Sequence, residues 1–189
     1  MTATAALCLV LTALLYPAIA DGSVLRLSWD WAPQLGLQFT LRVDGLSWLF
    51  LALISGIGML VGPYAGYYMP ADDPLGRFFA LLLAFMGSML GIVLSGNLIQ
   101  LVFFWELTSV FSFLLIGYWN QGQSARDAAR TALIVTVAGG LCLLAGVLLL
   151  GHIAGSYDLD AVLAAGDTVR HSPLYLPALV LVLLGILTK

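Results

Sequence analysis

Leu98-Ile99-Gln100-Leu101-Val102-Phe103-Phe104-Trp105-Glu106-Leu107-Thr108-Ser109-Val110-Phe111-Ser112-Phe113 holds a single carboxylate in an otherwise apolar or weakly polar stretch. Glu106 is the only glutamate in the chain, and the 48-residue run around it, Phe78 to Ala125, has no other charged side chain. A helix needs about 20 predominantly apolar residues to cross a hydrocarbon core about 30 Å thick, so a run this long and this poor in charge reads as membrane-spanning. A carboxylate at such a depth is costly to bury, and normally faces a protein or water-filled interior where it has a partner or a task.

The rest of the chain agrees. With 61% hydrophobic and 9% charged residues, the 189-residue sequence lies outside the soluble globular range. Apolar stretches run from Ala3 to Ala20, Gly45 to Met69, Phe78 to Ser95, Leu98 to Trp119, Thr131 to Ile153 and Leu174 to Lys189. The expected fold is therefore all-α, a polytopic membrane helix bundle of about six transmembrane helices forming one membrane domain over residues 1–189. The last stretch stops in mid-span with no polar anchor after it, so the chain is expected to be a piece of a longer protein. Ala18-Ile19-Ala20 resembles a signal cleavage site, but Met1-Thr2-Ala3-Thr4 lacks the basic residues of a secretory leader.

Charges fall in the connections. Seven basic and ten acidic side chains form no basic patch, which argues against nucleic acid as a partner. Arg26, Arg42 and Arg170 lie on one side of the expected bundle and Arg77, Arg126 and Arg130 on the other, so the positive-inside count ties. The closeness of Arg126 and Arg130 in a short connection favours the second side as cytoplasmic. Asp44 is placed to cap the second helix, and Met69-Pro70-Ala71-Asp72-Asp73-Pro74-Leu75-Gly76 and Ser95-Gly96-Asn97 read as a loop and a tight turn. Tyr64, Tyr67, Tyr68, Tyr118 and Trp119 fit an interfacial aromatic belt. Cys8 and Cys142 sit in apolar stretches as small hydrophobes, with no metal-ligand spacing.

Gly58, Gly62 and Gly66, and then Gly87, Gly91 and Ser95, recur every fourth residue and predict close helix contacts. At 3.6 residues per turn Glu106 and Ser109 share one face, with Trp105, Thr108 and Ser112 in an adjacent stripe, so hydroxyls are expected beside the carboxylate. They can donate hydrogen bonds to it or anchor proton-carrying waters. Lys189, the only lysine, ends another apolar run, where burial would lower its proton affinity and a nearby carboxylate would raise it. His152 and His171 lie at span edges, where His152 is a candidate for proton access. No nucleotide-binding glycine loop and no iron–sulfur cysteine cluster is present, so no cofactor is expected.

The stretch Phe104-Trp105-Glu106-Leu107-Thr108-Ser109, running on to Ser112-Phe113-Leu114-Leu115-Ile116-Gly117-Tyr118-Trp119, resembles the large A-type subunit of Mrp/Pha-type multisubunit monovalent cation/proton antiporters. Trp31-Ala32-Pro33-Gln34-Leu35-Gly36-Leu37, Val43-Asp44-Gly45-Leu46-Ser47-Trp48-Leu49-Phe50, Gly155-Ser156-Tyr157-Asp158-Leu159 and Gly185-Ile186-Leu187-Thr188-Lys189 carry the same resemblance. It implies a multi-pass protein of the cell (inner) membrane, partnered by other membrane subunits and moving protons against Na+ or K+. It further implies that Glu106 and Lys189 form an intramembrane ion pair that modulates proton transfer. Two such charges about 4 Å apart interact by about 4 kcal/mol at an effective dielectric near 20. The alternative within the same superfamily is an antiporter-like proton-pumping subunit of respiratory complex I or a membrane-bound hydrogenase. Members of the family have further helices before and after the matched region, which again implies a fragment.

Overall fold

The computed structural model describes residues 1–32, 37–69, 74–119 and 122–189. Pro33-Gln34-Leu35-Gly36 of the Trp31–Leu37 landmark and Pro70-Ala71-Asp72-Asp73 of the proline- and aspartate-bearing loop lie outside the described residues. The chain runs α1 (Thr2–Ile19), β1 (Leu25–Ala32), β2 (Leu37–Val43), α2 (Gly45–Tyr68), α3 (Leu75–Leu94), α4 (Leu98–Ile116), α5 (Gln123–Ala154), α6 (Leu159–Ala164), α7 (Gly166–His171) and α8 (Tyr175–Leu187). Five of these helices, α1 to α5, are long and apolar enough to cross a membrane, and α8 is a shorter apolar helix. The protein is a multi-pass membrane helix bundle, as its composition predicts.

Each helix packs on the next: α1 on α2, α2 on α3, α3 on α4, α4 on α5, and α5 on α8. One apolar cluster joins Ala5, Ile54 and Met86 across α1, α2 and α3. A second joins Leu98 and Val102 of α4 to Leu143 and Val147 of α5, with Val182 of α8 against it. Large apolar side chains such as Leu14, Leu60, Ile134 and Leu141 stay exposed, as lipid-facing residues do. The glycine stripes are contacts only in part. Gly58 meets Met86, Gly62 meets Thr2 and Gly91 meets Phe104, whereas Gly66 and Gly87 face open space. The helix α5 begins eight residues before the apolar stretch at Thr131; its 32 residues span about 48 Å, so its first turns project beyond the hydrocarbon.

The connection Asp21–Val43 is not an unstructured loop. Leu25, Leu27 and Trp29 alternate with Arg26, Ser28 and Asp30, the two-residue period of a strand, and the segment pairs antiparallel with β2. The register sets Arg26 directly opposite Arg42, a repulsive pair. Asp160 resolves it by accepting from Arg26 Nη1 at 3.1 Å and from Arg42 Nε at 2.8 Å, while Asp158 pairs with Arg26 and Asp44 with Arg42. The other long connection, 154–172, holds the two short helices α6 and α7; Asp158 caps α6 by accepting from the amides of Asp160 and Ala161.

The turn Ser95-Gly96-Asn97 threads between these two segments. The Gly96 amide donates to Thr40 O at 2.9 Å, Leu159 N donates to Gly96 O at 2.9 Å, and Leu98 N donates to Tyr157 O at 2.8 Å. Asn97 Oδ1 caps α4 by accepting from Ile99 N and Gln100 N, and Thr40 N donates to Gln100 Oε1. Asp44 caps α2 as expected, accepting from Ser47 N at 2.8 Å. Partial burial works against its charge, but the hydrogen bonds from Ser47 and Arg42 together outweigh that and hold Asp44 below the usual carboxylate range.

Candidate functional site

The helix α4 enters the membrane from the clamped turn, and eight residues on, about 12 Å deep by helical rise, it presents Glu106. Its neighbour α5 is glycine-bearing where it meets both α4 and α8, and α8 carries a glycine where it meets α5. Gly139 takes Thr188 against its backbone, Gly185 lies against Leu143 and Gly139, and the Glu106 carboxylate sits on the bare backbone of Gly140, where a Cβ would overlap Oε1. Gly139-Gly140 is thus a notch in α5 that admits Thr188, the residue that ends α8, and the Glu106 carboxylate of α4. Periodicity alone does not find this pair, since its two glycines are adjacent rather than spaced by four.

Lys189 is brought to the same interface. Its ammonium donates to Ser109 Oγ at 2.6 Å and to the Trp105 carbonyl at 3.0 Å, and lies 5.3 Å from the centre of the Trp105 ring. Trp105 and Ser109 are one turn apart on α4, so a single helical face forms the seat. Cation–π attraction adds to the two hydrogen bonds. Glu106 and Lys189 interact electrostatically, but no contact within 4 Å joins them among the described residues. The inner oxygen of Glu106, Oε1, is buried and has no hydrogen-bond partner among the described residues.

The hydroxyls serve the lysine side rather than the carboxylate. Thr108, buried, donates to the Trp105 carbonyl at 2.7 Å, the same oxygen that accepts from Lys189, and buried Ser109 accepts from Lys189 directly. Ser112 is half-buried one turn further on and makes no side-chain hydrogen bond among the described residues. The histidines are elsewhere. His152 stands 12 residues beyond Gly140, about 18 Å along α5, and lines an open cavity of about 640 Å³ with Asp167, Thr168, His171 and Ser172. His171 Nδ1 lies 2.8 Å from the Asp167 carbonyl, to which it donates. Among the described residues no group of three or more His, Cys, Asp or Glu is placed to hold a metal ion, and both cysteines are free.

Comparison with known proteins gives this geometry a context. Residues 95–189, which contain Glu106, the glycine notch and Lys189, match the membrane family described as NADH:quinone oxidoreductase/Mrp antiporter. Residues 29–79 match the N-terminal family of NADH-ubiquinone oxidoreductase (complex I) chain 5. A probable K(+)/H(+) antiporter A/B subunit of Rhizobium meliloti (strain 1021) is 62% identical over 187 residues, covering 99% of this chain and 19% of that protein. A Na(+)/H(+) antiporter A1 subunit of Staphylococcus haemolyticus (strain JCSC1435) is 46% identical over 169 residues, 89% of this chain and 21% of its own length. The chain therefore spans about a fifth of the curated relatives it matches. Among solved structures, the Mrp complex from Dietzia sp. DQ12-45-1b superposes with a TM-score of 0.86 at 31% identity, over 97% of this chain and 20% of that one. Respiratory complex I from Thermus thermophilus gives a TM-score of 0.73 at 26% identity over 86% of this chain and 34% of that one. Half of the chain matches one family over the very segment that builds the Glu106–Lys189 interface, and the chain belongs to the NADH:quinone oxidoreductase/Mrp antiporter membrane family.

Proposed function

We propose that the chain is the proton-handling part of a monovalent cation/proton antiporter subunit that works with other membrane subunits, and that Glu106 and Lys189 are its proton-transfer pair. The observation that carries this is a lysine ammonium seated on Trp105 and Ser109, the residues that flank the only glutamate within one turn of α4. In hydrocarbon, ionisable side chains that face the bundle interior mark proton or ion pathways. Antiport is the activity named for both relatives, and it is a transport function rather than an enzymatic one.

The mechanism follows from the two positions. With the carboxylate on Gly140 and the ammonium on its seat, the charges attract each other without touching. A movement of Glu106 toward Lys189 strengthens the lysine's hold on its proton, and a movement away weakens it, so a shift of one side chain becomes uptake or release at the other. Ser109 keeps the seat polar when the proton leaves, because a hydroxyl that accepts from an ammonium can donate to a neutral amine, while Thr108 stays bonded to the Trp105 carbonyl. His152, at the far end of α5, is proposed as a point of proton access from the aqueous edge.

The likeness to complex I supports a second reading, in which the same pair serves a redox-driven proton pump. The two readings separate in one experiment on the full-length complex in inverted vesicles. Glu106→Gln and Lys189→Ala are expected to abolish Na+- or K+-dependent proton exchange while the complex still assembles. Normal exchange in both variants refutes the pair. Proton movement that needs a quinone reductant instead of a cation selects the second reading.

A further inference from the structure

Opposite the hairpin, at the other end of the bundle, α3 begins, α4 ends and α5 begins. The three helices enclose a half-open cavity of about 440 Å³ whose lining divides into two zones. Arg77, Arg126 and Arg130 form the outer zone, and Leu81, Phe113 and Leu114 form the inner one. Arg77 is held in place: it donates to the Tyr118 carbonyl at 3.1 Å and lies 4.9 Å from the centre of the Tyr118 ring, while the Tyr118 hydroxyl donates to Pro74 O. Asp127, in the same turn of α5 as Arg126, is exposed and does not line the cavity.

We infer that this cavity binds the headgroup and upper acyl chain of an anionic phospholipid. The charge is right, because three guanidiniums from two helices converge on one opening, and guanidinium is the cation best suited to bidentate phosphate contact. The N-terminus of α5 adds positive dipole on the same side. The depth is right, because Arg77 precedes Leu81 by about one turn on α3 while Phe113 and Leu114, in the last turn of α4, precede the aromatic pair Tyr118 and Trp119 just beyond it, so the arginines stand at headgroup level and the apolar wall at acyl-chain level. The opposite end of the bundle is built differently: Arg26 and Arg42 are taken up by Asp44, Asp158 and Asp160.

The test uses the full-length complex reconstituted with phosphatidylglycerol or phosphatidylcholine bearing a photoactivatable group high on one acyl chain, with cross-links mapped by mass spectrometry. Phosphatidylglycerol is expected to label Leu81, Phe113 or Leu114, and phosphatidylcholine to label them at background. Loss of one arginine is expected to reduce labelling about fivefold, and Arg126→Gln with Arg130→Gln about 30-fold, from the usual contribution of each basic residue at an anionic surface. Arg170→Gln, an exposed arginine at the other end, is expected to change nothing. If the double variant fails to assemble, Arg130→Gln alone must still show the fivefold loss. Equal labelling by both lipids, undiminished labelling in the variants, competition by excess inorganic phosphate, or no labelling because protein covers the opening each overturns the inference.

Discussion

Replacing Gly140 with alanine tests whether the notch in α5 sets the position of Glu106. A methyl at residue 140 would overlap Oε1 and lie 2.5 Å from Cδ and 3.2 Å from Oε2. The carboxyl carbon must retreat by about 1 Å to reach an ordinary contact of about 3.5 Å. Two terms oppose each other in stability. Alanine in a helix interior gains about 0.5–1 kcal/mol over glycine, and overpacking costs about 1–3 kcal/mol. The expected net loss is about 0.5–2 kcal/mol, small enough for the complex to assemble. The functional effect comes from the displacement: for two unit charges about 5–6 Å apart at an effective dielectric near 20, each ångström changes the attraction by about 0.5 kcal/mol. The pH profile of cation-dependent proton exchange should therefore move by about 0.4 unit. An upward move means that the carboxylate has gone toward the lysine, and a downward move means that it has gone away. The assay is exchange in inverted vesicles as a function of pH, with subunit retention measured alongside. Gly87→Ala, which meets nothing within 4 Å, is the control and should leave the profile in place. Glu106→Asp, shorter by one methylene, should bring the Gly140→Ala profile back toward that of Glu106→Asp alone. An assembled Gly140→Ala complex with an unshifted profile would refute the idea that the notch positions the carboxylate.

Ser109→Ala removes a hydrogen bond to a charged group, an interaction of about 1.5–3 kcal/mol, so exchange should fall at least about tenfold while assembly persists; wild-type rates would show that the seat is not needed. Asp160→Asn leaves Arg26 and Arg42 facing each other with one counter-charge fewer, and at its partial exposure the loss should be about 0.5–1 kcal/mol, read as a lower melting temperature. Asp158→Ala should cost more, because it also removes the cap of α6, worth about 1 kcal/mol; the reverse order would contradict a clamp centred on these two acids. Asp44, held below the usual carboxylate range, contributes its full stabilisation above the ordinary aspartate pKa of about 3.9 and loses it as pH falls through its lower folded value. Acid unfolding of Asp44→Asn should accordingly be less steep below about pH 4 than that of the native protein, and identical acid profiles would show that this group is not linked to folding.

The apolar spans are legible because hydrophobicity over some twenty residues is a strong signal, and α2 and α4 begin at Gly45 and Leu98, the first residues of their apolar stretches. The hairpin is harder to read, although its two-residue alternation is plain, because one of its faces is polar and packs inward: Thr40 is fully buried against the turn at Gly96. Alternation is visible in the sequence, but the partner surface that makes it a strand pair is not. At the site, helical spacing puts Trp105 and Ser109 on neighbouring stripes of α4, where Lys189 does sit. What spacing does not reveal is that Thr108 and Ser109 serve the lysine and that the carboxylate rests on glycine, since both depend on which neighbour comes close and at what height. His152 is near in sequence to the central helices, yet a helix rise of about 1.5 Å per residue puts it far from Glu106.

The junction at Gly96 has a consequence for the order in which the molecule is made. The hairpin, with its opposed arginines, leaves the ribosome long before Asp158 and Asp160, which are 132 and 134 residues downstream of Arg26. Until then the two positive charges have only Asp44 for company, the Gly96 carbonyl has no Leu159 amide to accept from, and the Leu98 amide has no Tyr157 carbonyl to donate to. The hairpin closes onto its clamp only after α5 has been inserted and its far end has reached the same side of the bilayer. A chain with one intervening helix inserted the wrong way round would present these acids on the opposite face of the membrane, where they could not clamp Arg26 and Arg42.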